Sequence, residues 1–447
     1  MAVATVAVGN GQEFRLTWRC PLGALKQDGK GADLIAEEVK RSVRKMTTSL
    51  TENPAKSPVQ AKDIGRRQTI PVIHTRGTHY DIGFDIGRTF SALIQEFVDI
   101  YKPLNEIYLP LYKTEAGKKV YEETLACVEE QFPGYLKEIR GTADGANVPF
   151  HKLFLMHLDD IVPNVANEGA QGNTLPVGCS TIMCNQPGQE ILGHNEDALA
   201  ETLNHWYLVS AHVLEPGCNE EIFTSLSYAG FLPGYTMGYN CHGLVYTINT
   251  LSAATLRSGK TPRYFLTRAL LAAENYVQAQ QILRNRGFGA AEGFSVNMTF
   301  LTQQGDRMFH NAEIGPCENE DAQSQISILT ISPGENTFHC NKYLRLKIAE
   351  VEGLIVDSSE KRMNAISNHP PAKSRQDVLN ILSDQTDDKY RVYQEINKND
   401  PVKTIATGIF DCVERTWSIY TDKPNSTEPL LVIPLRLRNE SVATCAM

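Results

Sequence analysis

The texture of this chain changes at one residue, Cys179, and the change limits the folds open to it. Before it, apolar residues recur at intervals of three and four. Ile82, Ile86, Phe90, Leu93, Ile94, Phe97, Val98 and Tyr101 mark one face of an amphipathic helix. A second set runs from Val120 to Ile139, interrupted at Pro133-Gly134, and a third from Phe150 to Ile161. After Cys179 come short apolar runs at 180–184, 190–195, 206–214, 222–228, 235–240 and 244–249, parted by turn residues such as Gln186-Pro187-Gly188-Gln189. Runs of that length and spacing predict a mostly antiparallel sheet. A helical run behind Pro262, strands at 294–303, 306–311 and 325–332, helices between Asn341 and about Ser383, and strands at 404–411, 415–421 and 430–437 complete the chain. Alternating blocks of helix and sheet can bury their apolar faces only by stacking as layers.

Cys179 also has the chemistry of a cleavage site. It follows Gly178, whose backbone can take angles other residues resist, so the Gly178 carbonyl can be held against the neighbouring thiol. Thiol attack there converts an amide into a thioester, and water then releases a new N-terminal cysteine. An α-amine, with a pKa of about 7.7–8.0 against about 8.5 for a thiol, can take the thiol's proton within that one residue. The alternative reading is a turn followed by a buried strand cysteine, and the dipeptide alone does not separate the two.

Further motifs follow in order: Gly193-His194-Asn195-Glu196-Asp197, Gly230-Phe231-Leu232-Pro233-Gly234, Gly238-Tyr239-Asn240-Cys241-His242-Gly243-Leu244 and His339-Cys340-Asn341. With Gly178-Cys179 they resemble the N-terminal-nucleophile (Ntn) hydrolases of the penicillin-acyltransferase and bile-salt-hydrolase type, and most nearly the branch that cleaves N-β-alanyl amines. The resemblance spans roughly Ile70 to Leu437. It implies an α+β fold, a four-layer αββα sandwich of mostly antiparallel sheets. It also implies self-cleavage between Gly178 and Cys179, with Cys179 as nucleophile and Asp197, in the family's Asn-x-Asp motif, holding and orienting the new amine. Asn240 and Asn341 take the place of the family's oxyanion donors. Hydrolysis of β-alanyl-dopamine and β-alanyl-histamine (carcinine) to β-alanine and the free amine is the implied reaction. Glu196, Tyr239 and His194 are candidate substrate-binding residues, with Glu196 or Glu201 facing the cationic β-alanyl head. His194 stands where the bile-salt branch has arginine, and Ala198 where an aromatic residue often follows, which speaks against bile salts. An acyltransferase on the same scaffold and a catalytically inert binding relative are the competing expectations.

Bulk properties bound the rest. The 447 residues carry a net charge of −9 with both signs interspersed, so no basic stripe offers itself to nucleic acid or to an anionic membrane. Ten cysteines lack a CxxC pair or a regular framework, as in a cytoplasmic protein with reduced thiols. His205 and His212, seven apart, and Cys179 and Cys184, five apart, match no usual zinc spacing, and neither a metal nor an organic cofactor is expected. Residues 1–68, polar and rich in Lys, Arg, Glu, Ser and Gly, read as a disordered leader. The expected organisation is therefore that leader, a helical fragment at 69–178, and a fragment at 179–447 carrying the nucleophile and the sheets, the two halves remaining together as a heterodimer that forms one domain.

Overall fold

The computed structural model describes residues 65–166, 178–318, 322–395 and 400–438, with the backbone of two early strands, β1 (Ala2–Val8) and β2 (Gln12–Trp18). The chain divides into two compact units, Met1–Gln60 and Ala61–Met447. In the first, β1 and β2 pair antiparallel from Ala2 opposite Trp18 to Val8 opposite Gln12. A hairpin thus occurs within the stretch read as a disordered leader. Its sequence accounts for it, since Ala-Val-Ala-Thr-Val-Ala-Val and Glu-Phe-Arg-Leu-Thr-Trp are rich in β-branched and aromatic residues and are separated by Gly9-Asn10-Gly11. Most of residues 1–64 lie outside the described residues.

The second unit is built on two sheets. The larger has eight strands: β3 (Val72–Gly77), β6 (Trp206–Val213), β7 (Glu221–Tyr228), β8 (Met237–Asn240), β9 (Leu244–Leu251), β10 (Gly293–Phe300), β11 (Phe309–Gly315) and β12 (Gln325–Ile331). Spatial order runs β12-β11-β10-β9-β8-β7-β6-β3, and every pairing is antiparallel except β3 with β6. The smaller has six strands in the order β13-β4-β5-β14-β15-β16, all antiparallel. These are β4 (Ser180–Gln186), β5 (Gln189–Leu199), β13 (Glu335–His339), β14 (Val402–Asp411), β15 (Thr416–Tyr420) and β16 (Leu431–Pro434).

Three apolar layers show how these sheets stack. Between them lie Met183 and Leu192 from the smaller sheet against Trp206, Leu208, Leu226 and Met237 from the larger, with Trp417 stacked on Phe410. On the outer face of the larger sheet, Tyr207, Val209 and Tyr246 pack under Ile82, Ile94, Phe97, Leu136 and Phe154 of the helices that precede Cys179. On the outer face of the smaller sheet, Ile182, Cys184 and Ile191 pack under the helices Leu354–Ser367 and Arg375–Leu382. The result is helices, sheet, sheet, helices, an αββα sandwich with four layers.

The amphipathic pattern from Ile82 to Tyr101 resolves into two helices, His79–Thr89 and Ser91–Ile100, parted at Phe90. The first begins on a capping box made by Thr78 and Asp81. It crosses the Pro133–Ala146 helix with almost no side chain between them: a Cβ on Gly83 would lie 1.9 Å from Glu138 O, and one on Gly141 2.2 Å from Tyr80 O. Arg66, inside the expected leader, donates to Glu395 and to the carbonyls of Thr404 (2.7 Å) and Thr421 (2.9 Å), so it is tied to the second unit.

Candidate active site

β4 and β5 form the hairpin that supplies the central residues. Gln186 pairs with Gln189 across a tight turn in which Gly188 has a φ of +75°, and Ser180 lies opposite Asn195. This register carries Cys179, the residue before β4, alongside Glu196 and Asp197 near the end of β5. Strand alternation would send those two carboxylates to opposite faces. Glu196 turns with His194 towards Thr181 and Asn249, and Asp197 meets Thr404 of β14, whose register against β5 is broken by a bulge at Ile405. Both Glu196 and Asp197 line the same cavity as Gly178 and Cys179.

Cys179 is held through its backbone. Its N–H donates to Asn341 Oδ1 at 2.8 Å, while its carbonyl accepts from Arg362 Nη1 at 2.7 Å and Asn249 Nδ2 at 3.1 Å. Arg362 Nη2 also donates to Asn341 Oδ1 at 2.7 Å, which fixes the amide's orientation because the guanidinium can only donate. Asn341 Nδ2 donates to Thr250 O at 3.0 Å. Arg362 is fully buried, with Nη1 on Ser180 Oγ (2.9 Å) and Nε on Ser358 Oγ (3.2 Å).

Gly178 is required here for space. A Cβ on it would lie 2.5 Å from Arg362 Nη2 and 2.7 Å from Asn341 Oδ1, and Gly178 is not among the glycines with positive φ. The expectation of special backbone angles is therefore replaced by one of close approach.

The carboxylates differ in their partners. Asp197 is fully buried; its Oδ1 accepts from Thr404 Oγ1 at 2.6 Å, whereas its Oδ2 has no hydrogen-bond partner. Burial holds the Asp197 carboxyl well above the usual range against the opposing pull of Arg362. Glu196 is engaged on both oxygens, by Tyr228 and by His194 Nε2 at 3.0 Å, and His194 Nδ1 is 2.7 Å from Thr181 Oγ1. The Cys179 thiol, the His194 ring and the Glu196 carboxylate come within 4.8 Å of one another, close enough to share a cation. Burial, reinforced by the Glu196 and Asp197 charges, pushes the Cys179 thiol well above its ordinary value and favours the protonated thiol.

The structure thus brings Cys179, Asp197, Asn341, Glu196 and His194 together, and leaves two expected residues elsewhere. Both amide hydrogens of Asn240 go to the carbonyls of Leu271 (3.1 Å) and Ala273 (2.7 Å), and its Oδ1 accepts from the backbone of His242 and Leu244. It ties its own turn to a neighbouring loop and has no hydrogen left for an oxyanion. Tyr239 packs between the sheets, edge-on to Trp417, with its hydroxyl on Pro434 O at 3.3 Å. Arg362, Asn249 and Thr250 were not singled out as site residues. Asn249 lies within the apolar β9 run, where a lone polar residue facing the interior is the only signal.

The cavity that Cys179 lines is also lined by Phe97, Tyr101 and Tyr108 of the helical layer and by Tyr228, Phe231 and Tyr264. It is small, aromatic and acidic. A partly open pocket of this kind suits a compact cationic molecule better than a polymer.

Comparison with known proteins gives the family. Residues 184–426 match the family model described as acyl-coenzyme A:6-aminopenicillanic acid acyl-transferase. A β-alanyl-dopamine/carcinine hydrolase of Drosophila melanogaster is 48% identical over 84% of this chain and 98% of its own length. The 40 kDa form of acyl-coenzyme A:6-aminopenicillanic-acid-acyltransferase of Emericella nidulans is 24% identical over 49% of this chain and 58% of its own. Penicillin V acylase from Agrobacterium tumefaciens is a solved structure with 10% identity and a TM-score of 0.32, covering 56% of this chain and 84% of that one. The chain belongs to the acyl-coenzyme A:6-aminopenicillanic acid acyl-transferase family.

Proposed function

We propose that this chain is a precursor that cuts itself between Gly178 and Cys179 and then hydrolyses N-β-alanyl biogenic amines. The observation that carries this reading is the surroundings of Cys179: an N–H held by Asn341, a carbonyl held by Arg362, and the unpartnered, fully buried Asp197 Oδ2 in the cavity with the thiol. The relative at 48% identity supports the choice of substrate.

In the first step the thiol proton passes to Asp197, whose buried Oδ2 has no other partner. The sulfur attacks the Gly178 carbonyl carbon, the C–N bond breaks, and the Cys179 nitrogen takes a proton as it leaves. Water then splits the thioester, giving a Gly178 carboxylate and an N-terminal Cys179. The new ammonium has two acceptors ready, Asn341 Oδ1 and Asp197 Oδ2. Its positive charge offsets the two carboxylates that hold the thiol protonated.

In the second step the thiolate attacks the substrate amide. Asn341, with one amide hydrogen not used by Thr250, donates to the oxyanion. The ammonium protonates the leaving amine, and water clears the β-alanyl thioester to release β-alanine. In an extended β-alanyl group the ammonium stands three bonds beyond the carbonyl carbon, a reach that matches the Glu196 carboxylate beside the thiol. Fragments 1–178 and 179–447 stay together after the cut because β3 remains paired with β6 and the helical layer remains on the larger sheet.

Intact mass spectrometry of the wild type beside Cys179→Ala, followed by assay of β-alanyl-dopamine and β-alanyl-histamine, tests this. Two fragments in the wild type, one uncut chain in the variant, and release of β-alanine only by the cut protein are expected. An uncut wild type leaves the inert-relative reading in place. Transfer of the β-alanyl group to hydroxylamine or coenzyme A in preference to water points instead to an acyltransferase.

A further inference from the structure

The same cavity continues to a second group of charges that takes no part in breaking a bond. Asp159, Asp160 and Glu292 bring carboxylate oxygens within 4.8 Å of one another around Arg263, whose side chain is only 3% exposed. Asp159 is fully engaged: its Oδ2 accepts from Arg263 Nη2 (2.7 Å) and the Tyr264 hydroxyl (3.0 Å), and its Oδ1 from the Asp160 N–H (2.9 Å). Glu292, fully buried, accepts the Arg263 backbone N–H on Oε1 at 3.0 Å. Its Oε2, 3.5 Å from Arg263 Nη1, has no hydrogen bond. Asp160 Oδ2 lies 2.8 Å from that same Nη1, which makes no well-aligned hydrogen bond either, and 28% of the Asp160 side chain stays open.

Three carboxyl groups therefore share one guanidinium. Burial pushes the Glu292 and Asp160 carboxyls up, and the one positive charge among them, Arg263, is shared by all three carboxyl groups. This end of the cavity has acceptor oxygen in excess and no cation to offer an anion. Its walls are aromatic: Tyr235 and Tyr264 lie 4.2 Å apart between ring centroids, and Phe231 is 5.2 Å from Tyr264.

We propose that this end reads the ring of the leaving amine. Asp160, positioned by Arg263, accepts a hydrogen bond from a catechol hydroxyl or an imidazole N–H, while Phe231, Tyr235 and Tyr264 enclose the ring. The assignment rests on the chain being a β-alanyl-amine hydrolase, and it adds the residue that decides which amines are accepted. A ring without donors leaves Asp160 unpaired. A leaving group bearing a carboxylate meets carboxyl oxygens and no uncommitted cation, because Arg263 already faces three carboxyl groups.

The test measures kcat/KM of the self-cleaved full chain on the β-alanyl amides of dopamine, histamine, phenethylamine and histidine. The dopamine and histamine amides are expected to exceed the other two by at least about ten-fold, expressed in KM. Asp160→Asn should reduce that preference to within about two-fold, and Asp160→Glu, which keeps the charge, should retain most of it. Thermal melting of both variants separates a lost contact from a damaged fold. Equal rates on all four amides in the wild type, or an undiminished preference in a folded Asp160→Asn, overturns the proposal. A preference for β-alanyl-histidine also overturns it, since Arg263 would then be available to a carboxylate. If the wild type hydrolyses none of them, the substrate reading fails by itself and the ring site is judged by binding. Thermal stabilisation by dopamine and histamine beyond that by phenethylamine, lost in Asp160→Asn, upholds it, and stabilisation equal for all three amines overturns it.

Discussion

Arg362, behind Cys179, and Arg263, in the wall of the cavity that Cys179 lines, are both buried guanidiniums, and they are partnered in opposite ways. Arg362 donates to neutral acceptors: the Cys179 carbonyl, the Asn341 amide oxygen and two serine hydroxyls. Its charge remains available to whatever negative charge forms beside Cys179. Arg263 sits among Asp159, Asp160 and Glu292, and its charge is cancelled where it stands. A buried arginine surrounded by dipoles is suited to chemistry, and one surrounded by carboxylates to holding a wall in place.

Substitution should expose that difference most sharply at Arg263. Arg263→Gln leaves three carboxyl groups without their cation, and a loss of about 3–5 kcal/mol in unfolding free energy is expected by denaturant titration. Arg362→Gln should instead act on rate, slowing self-cleavage by about 10²–10³-fold in a time course followed by intact mass. A comparable loss of stability with normal cleavage would erase the distinction. Acid should act on the ring end through His157, which is fully buried, packs 5.2 Å from Phe231, places Nδ1 on Leu153 O at 2.7 Å and accepts the Leu232 N–H on Nε2 at 2.9 Å. Burial pushes this histidine down to about 4. Its folded pKa lies below the unfolded value of about 6.5, so its contribution is complete above about pH 6.5 and is lost as pH falls towards 4, on the order of 3 kcal/mol. His157→Gln should flatten that part of the stability–pH curve. The smallest effect belongs to Asn240→Ala, expected to cost about 1–3 kcal/mol of stability through the orphaned carbonyls of Leu271 and Ala273. A large loss in kcat with unchanged stability would return Asn240 to the oxyanion.

Much of this was legible along the sequence because it is local. The β4–β5 hairpin was visible in its periodicity and its Pro187-Gly188 turn, and with it the approach of Asp197 to Cys179. Asn341 was legible through the ordered motifs, although its oxygen, held by Arg362, is the atom that meets Cys179. What stayed hidden depends on partners distant in sequence. Asp159 and Asp160 fall at the end of a helical pattern that gives them no role, and they gain one only because Arg263, about a hundred positions later, folds against them. Arg362 lies in a helix rich in charge, where exposure is the usual expectation. Asn240 misled for the opposite reason: the local Gly238–Gly243 motif is real, but it describes a turn.

Glu196 and Asp197 are neighbours on β5, so they leave the strand on opposite faces, Glu196 with His194 and Tyr228 and Asp197 with Thr404. A one-residue slip of β5 against β4 would exchange the engaged carboxyl group for the one with a free oxygen, with every functional residue still present. The chain keeps count of its electrostatics by spacing.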